Sequence, residues 1–256
     1  MQASAIAAPD SGSLAAYWRF HRAVARAQLV SWLAELDGAD RPLRLLDISG
    51  PGERAAQVAA AAGHTVLRVV APGPAGHAAE PAANADGHQP RLRTLTADGT
   101  GLEFLAGGWA DGVIVEGRTL SLHLAAETLV SEIARVLRPS GRVLACVDSL
   151  VLGMAVLAEQ HHWPELADLP HAEVVLVPWP DGTITRCYGR EQLLELFAGG
   201  GLDVTWIRPR TVFSPSTVSY LLGRDPASLP RLVNAELRAR ADDSVGAQLV
   251  VSARRR

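Results

Sequence analysis

Apolar positions along this chain fall into two kinds of pattern, short unbroken runs and stripes spaced by three and four residues. The first stripe, Leu14, Trp18, Val24, Leu29, Trp32, Leu33 and Leu36, predicts a helix from Leu14 to Leu36, with Arg19, Arg22 and Arg26 between the apolar positions. Leu43-Arg44-Leu45-Leu46-Asp47-Ile48 is a run of strand length that ends in the turn Ser49-Gly50-Pro51-Gly52. Glu53 to Ala62 is made of helix formers and stops at Gly63. Further runs at Thr65–Val70, Leu92–Ala97, Asp111–Glu116 and Arg142–Asp148 predict four more strands. A helical stripe at Leu129, Ile133, Val136 and Leu137 precedes the last of these and is stopped by Arg138-Pro139-Ser140-Gly141. Residues 73–90, rich in Ala, Gly, Pro and His, read as a loop.

Beyond Asp148 the rhythm breaks. Leu150–Leu157 reads as an apolar helix, followed by irregular chain with a hairpin near Asp181-Gly182. Arg190–Ala198 then predicts a helix stopped by Gly199-Gly200-Gly201, and Asp203–Arg208 and Gln248–Ser252 two final strands, with a helix at Pro230–Arg240 between them.

Strands that alternate with helices in this way predict an α/β fold with right-handed crossovers and a largely parallel sheet. Ligands of such sheets sit beyond the carboxyl ends of the strands, where Asp47, Asp98, Glu116 and Asp148 fall. The turn holding Gly50 and Gly52 either brings backbone close to a ligand or is a plain strand-to-helix connection. The first helix either packs beside the sheet or covers the ligand as a lid. In the second case Tyr17, Trp18 and Arg22 would close over it, with Arg22 pairing a carboxylate; in the first they are a core stripe with an exposed Arg.

Composition narrows the function classes. The 256 residues suit one sizeable α/β domain: a tail and lid-like helix over residues 1–40, then a domain over 41–256 with an insertion at about 150–189. A formal charge of -3, with arginines scattered along the chain, gives no basic surface for nucleic acid. The chain has no Lys, so every strong base is Arg. Cys146 and Cys187 are too few for a disulfide scaffold and lack metal-ligand spacing. Neither a signal peptide nor a run of about twenty apolar residues is present, so the expected setting is cytoplasmic, with no membrane partner.

In motif order the chain resembles the class I S-adenosylmethionine-dependent methyltransferases. Leu45-Leu46-Asp47-Ile48-Ser49-Gly50-Pro51-Gly52 resembles the family's strand-one motif, Ala97-Asp98 its acid after strand three, and Ala110–Glu116 its strand-four motif. The most specific likeness is Ile133 to Leu144, which resembles the family's helix, Pro-Gly turn and fifth strand. The resemblance implies a Rossmann-like three-layer sandwich with a mostly parallel seven-stranded sheet, an N-terminal helix and an insertion after strand five. It implies S-adenosylmethionine as cofactor, held by Asp47, Ser49, Gly50, Gly52, Ala71, Asp98, Gly99 and Glu116, with Tyr17 and Arg22 from the first helix. Ser49 stands where the family has glycine, Gly50 and Gly52 are out of phase with its glycines, and Ala71 occupies the place of its ribose-binding acid.

The implied reaction is methyl transfer to oxygen or nitrogen of a small specialised metabolite. A general base would help, and His123, His161 and His162 are the candidates; each also reads as a surface or packing residue. The out-of-phase glycines and Ala71 support a second reading, a methyltransferase-like protein that has lost methyl transfer and catalyses a cyclisation or rearrangement, or serves as a binding or scaffold partner. A small-molecule acceptor and, as an option, a homodimer complete the expected partners.

Overall fold

A computed structural model of the protein describes residues 11–36, 41–50, 52–71, 91–97, 101–169, 172, 174–179, 181–238 and 246–256. Its centre is a sheet of strands β1 (Arg44–Asp47), β2 (Thr65–Val70), β3 (Leu92–Thr96), β4 (Ala110–Val115), β5 (Leu137–Asp148), β8 (Leu202–Arg210) and β9 (Gln248–Arg255), in the order β3-β2-β1-β4-β5-β9-β8. The first five strands are parallel, and β9 is antiparallel to both β5 and β8. The expected seven-stranded, mostly parallel sheet is therefore present, and strand order reverses between β1 and β4.

Alternate residues along the strands feed two cores. On one face Leu46, Val113, Val115, Val143 and Val147 pack with Leu129, Ile133 and Phe197 of helices α4 (Ala126–Val136) and α7 (Arg190–Gly199). On the other, Leu45, Ile114, Leu144 and Val250 pack with α2 (Ala55–Ala61) and with Leu29, Trp32 and Leu33 of α1 (Ser11–Leu36). All six positions of β4 are buried, as a strand covered on both faces requires. Each fully buried Leu, Ile or Val contributes about 1.5–3 kcal/mol.

Helix α1 packs beside the sheet, the first of the two roles expected of it. Its C-terminal half belongs to the core beside the sheet, where Trp32 Nε1 donates to Ser252 Oγ of β9 at 3.2 Å. Its N-terminal half continues past the sheet, and Phe20 and Val24 pack there with Val218 and Leu222 of α8 (Pro215–Arg224) and Leu232 of α9 (Leu229–Leu237).

Several boundaries differ from the sequence reading. Strand β5 begins at Leu137, directly after α4, so Arg138-Pro139-Ser140-Gly141 lies inside the strand as an irregularity, with Ser140 at φ 67°. Helix α8 and the short helix α3 (Thr119–Leu122) have no counterpart in the sequence reading, and α6 (Trp163–Asp168) stands where irregular chain was expected. The insertion holds α5 (Leu150–Glu159), α6 and a hairpin of β6 (Val175–Pro178) and β7 (Ile184–Cys187), and forms a small core of its own around Val156, Leu157, Val177 and Cys187. The hairpin turns at Asp181-Gly182 as expected: Asp181 Oδ1 accepts from Thr183 N at 3.0 Å, and Gly182 takes φ 85°. Among the described residues no helix is long and apolar enough to cross a membrane.

Candidate functional site

The reversal of strand order places the carboxyl ends of β1 and β4 side by side, the position at which open α/β sheets bind ligands. Here the two following turns are stitched to each other. Gly50 N donates to Glu116 O at 3.0 Å, and Glu116 N donates to Ser49 Oγ at 2.9 Å. A Cβ on Gly50 would stand 2.8 Å from Gly117 O, so this glycine allows backbone to meet backbone. Asp47 is wholly buried and ties the turn to α2, accepting from Ser49 N and Ala56 N at 3.0 Å each. Burial pushes its carboxyl above the usual range, against these hydrogen bonds and the charge of Arg68. Asp47, Ser49 and Gly50 thus lock the two turns to each other and to α2, through hydrogen bonds made within the protein.

Gly52, Glu53 and Glu116 of these turns line a cavity of about 520 Å³ between α1 and the start of α2. Trp18, His21, Arg22, Arg26 and Leu29 of α1 form its roof, and Gly52, Glu53, Ala55, Val58 and Glu116 are among the residues opposite. Arg19, Arg22, Arg26 and Arg54 stand around it, all exposed and none in an ion pair among the described residues. Glu53 makes no side-chain hydrogen bond or ion pair among the described residues. Burial, and after it the neighbouring Glu116 charge, raises its carboxyl above the usual range.

One wall of the cavity is a buried polar network. Arg210, at the end of β8, donates from Nη1 and Nη2 to both oxygens of Glu116 at 2.7 and 2.8 Å, and from Nε to Gln28 Oε1 at 2.6 Å. Arg210, Glu116 and Gln28 are 1%, 3% and 6% exposed. Such a fork-to-fork contact fixes the carboxylate in direction as well as charge. Next to it His21 Nε2 lies 3.0 Å from Gln248 Oε1, and Gln248 is in register with Arg210 on one side and Asp148 on the other. Burial, then the charge of Arg210, holds His21 below the ordinary imidazole value.

A second polar cluster lies where the insertion meets the sheet. Arg118, held at φ 65°, donates from Nε to both oxygens of the buried Asp148 at 3.0 and 2.9 Å. Its guanidinium carbon stacks 4.4 Å from the centre of the Trp179 ring, and Trp179 Nε1 donates to Thr185 Oγ1 at 2.8 Å. The cation–π contact and the ion pair together dock the hairpin over the ends of β4 and β5.

Of the residues expected at the site, Arg22, Gly52 and Glu116 line the cavity, while Asp47, Ser49 and Gly50 belong to the neighbouring turn and are not in its lining. Tyr17 is packed beside Trp18 and His21, and burial raises its phenol. Ala71 is exposed at the end of β2, while Asp98 and Gly99 lie outside the described residues. The three candidate bases are not brought to the cavity. His123 ends α3, His161 stacks edge-on against Trp163, and His162 Nδ1 lies 3.3 Å from Glu165 Oε1 on the exposed side of the insertion. Sequence reasoning missed His21, Glu53, Gln28 and Arg210. The legible signal was Gln28, a polar residue in the apolar stripe of Phe20, Val24 and Leu29.

The chain has the Rossmann-like α/β fold of the class I S-adenosylmethionine-dependent methyltransferases. Solved structures of this fold include a 1,6-didemethyltoxoflavin N1-methyltransferase of Burkholderia thailandensis with bound 1,6-didemethyltoxoflavin and S-adenosylhomocysteine. It is 18% identical over 93% of this chain and 80% of its own, with a TM-score of 0.55. A Mesorhizobium loti S-adenosylmethionine-dependent methyltransferase is 16% identical over 88% of this chain and 96% of its own, with a TM-score of 0.53. The cyclase SpnF is 16% identical over 89% of this chain and 80% of its own, with a TM-score of 0.50. No family model and no curated protein matches the sequence.

Proposed function

We propose that the protein binds S-adenosylmethionine in the cavity beneath α1 and methylates oxygen or nitrogen of a small specialised metabolite. The observation that carries this reading is the cavity itself, of about 520 Å³, at the reversal of strand order and roofed by α1. Its size suits a small-molecule site. Its lining also suits the cofactor's chemistry. Arg22 and Arg26 answer a carboxylate, Glu53 answers an ammonium or sulfonium charge, and Leu29, Val58 and Ala55 offer an apolar wall. When bound, S-adenosylmethionine supplies an electrophilic methyl group on a cationic sulfur. The residues of this chain align the partners and exclude water, which is the main requirement of an in-line displacement. Glu116, clamped by Arg210, presents a fixed charge at the cavity wall.

A second reading is favoured by the closed turn. With Gly50 packed on Gly117 and Ala71 at the end of β2, the same fold would hold a ligand without methyl transfer and catalyse a rearrangement or cyclisation; SpnF, a cyclase, has this fold.

Thermal melts with S-adenosylmethionine and S-adenosylhomocysteine test the proposal. A ligand at about 100 times its Kd stabilises by about 2.7 kcal/mol, roughly 5–10 °C for a chain of this size. No shift at millimolar ligand overturns cofactor binding. A shift without methyl transfer to a broad panel of hydroxyl and amine acceptors selects the second reading.

A further inference from the structure

We propose that His21 is the general base of this site. The inference rests on the methyl-transfer reading for its acceptor, and on the geometry of α1 for its base.

Among the described residues His21 is the histidine that lines the cavity. Its ring is held on three sides: Tyr17 and Trp18 pack at centroid distances of 6.4 and 5.4 Å, and Nε2 meets Gln248 Oε1 at 3.0 Å. A carbonyl oxygen accepts and cannot donate, so this contact selects the tautomer with the proton on Nε2 and leaves Nδ1 with a lone pair. The charged groups facing the ring are Arg210 from β8, Glu116 from the end of β4 and Arg22 from its own helix, with Gln248 from β9 as the hydrogen-bond partner. Burial and Arg210 outweigh Glu116, so the imidazole is neutral at pH 7 and ready to accept a proton.

The arrangement is a base oriented by a third group, as general-base catalysis requires. Gln248 takes the orienting place, and because it is uncharged it leaves the base weak and unprotonated. In the step proposed, the acceptor's O–H or N–H bond breaks, its electron pair stays on the acceptor atom, and the proton moves to Nδ1. The imidazolium formed between Arg210 and Arg22 then loses that proton to water, which returns the neutral ring. The carboxylate of Glu116 limits the electrostatic cost of the transient cation.

Histidine NMR on the intact protein tests the base without reference to turnover. The expected spectrum at pH 7.5 shows His21 protonated at Nε2 and bare at Nδ1, with Nδ1 gaining its proton only below the ordinary 6.5 and the signals displaced by S-adenosylhomocysteine. A neutral ring that carries its proton on Nδ1 at pH 7.5 overturns the proposal. His21→Asn is expected to retain S-adenosylhomocysteine affinity within about threefold and to lower methyl transfer by about 100- to 10,000-fold. Added imidazole is expected to restore part of the rate of His21→Ala, and the acid limb of the wild-type pH profile should follow the His21 titration. Full activity in His21→Asn overturns the proposal. If the wild-type protein binds no S-adenosyl ligand, the methyl-transfer reading fails separately, and the tautomer and titration still judge His21.

Discussion

Arg210→Met is the substitution whose effect the structure defines most closely. It removes the cation from a pair in which Arg210 is 1% and Glu116 3% exposed, and leaves a carboxylate with neither water nor a counter-charge. Breaking a buried pair from one side costs about 3–5 kcal/mol, because the remaining charge keeps its desolvation penalty. Gln28 Oε1 loses its donor as well, and since the three groups form one network this loss is not simply additive. The expected fall in melting temperature is roughly 6–20 °C for a chain of this size. Urea denaturation at pH 7.5 measures the loss as a lower midpoint with unchanged slope. The decisive comparison is Arg210→Met combined with Glu116→Leu. Replacing a whole buried pair by apolar side chains is often nearly neutral, so the double variant should regain most of the stability lost in the single one. If Arg210→Met costs less than about 1 kcal/mol, or if the two changes simply add, the pair is not the closed, dry contact described here.

Other positions give sharper contrasts. Gly50→Ala puts a Cβ 2.8 Å from Gly117 O and should destabilise by about 1–3 kcal/mol by prising two backbones apart; Gly52→Ala meets nothing within 4 Å and should cost about 1 kcal/mol through its φ of 85° alone, a difference that paired melts resolve. Arg118→Met should cost about 2–3 kcal/mol, less than Arg210→Met because its side chain is 32% exposed. Burial already raises the Asp148 carboxyl, and Arg118 restrains that rise. Its removal raises the folded-state value further, so the deficit should widen as pH climbs from acid toward neutral; a deficit independent of pH refutes this. For His21 the sign is opposite. A folded-state value below 6.5 gives stability that is complete above pH 6.5 and is lost as pH falls toward the folded value, so His21→Gln should gain on the wild type in melts between pH 7.5 and 5. His161→Ala and His162→Ala, on the exposed side of the insertion, should leave melts with S-adenosylhomocysteine unchanged.

Much of the fold was readable because buried parallel strands are written as unbroken apolar runs. Leu45-Leu46, Val113-Ile114-Val115 and Val143-Leu144 each feed both cores, so neither polar alternation nor helical spacing competes with the strand assignment. Helix α8 was missed because Ser216, Thr217, Ser219 and Gly223 give it weak helix propensity. Its stability comes from Val218 and Leu222 packing on α1, together with Ser214 capping Thr217 N at 3.2 Å. The strand start at Leu137 was hidden by Pro139 and Gly141, residues that ordinarily end an element, and β4 accommodates them through a shift of register.

Of the candidate site, the turn after β1 and Glu116 were legible, and the partners of Glu116 were not. Asp47 and Gly50 belong to one local turn, so sequence neighbours reveal them. Arg210, Glu116 and Gln248 come from three strand ends and Gln28 and His21 from α1, and they meet only when α1 is laid across the sheet; no spacing within one segment announces such a meeting. The histidines that sequence context did mark, His161 and His162, owed their prominence to adjacency, which places them on one exposed turn.

The exclusive use of arginine gives the site a property of its own. A lysine buried where Arg210 is buried could release its proton and become neutral, whereas a guanidinium stays charged throughout the range in which proteins fold. The same holds for Arg19, Arg22, Arg26 and Arg54 around the cavity. The cationic side of this surface therefore has no alkaline switch. Rising pH can remove protons from an incoming ligand, yet it leaves the positive field that greets an anion undiminished, so any alkaline limit on anion binding belongs to the ligand or to unfolding.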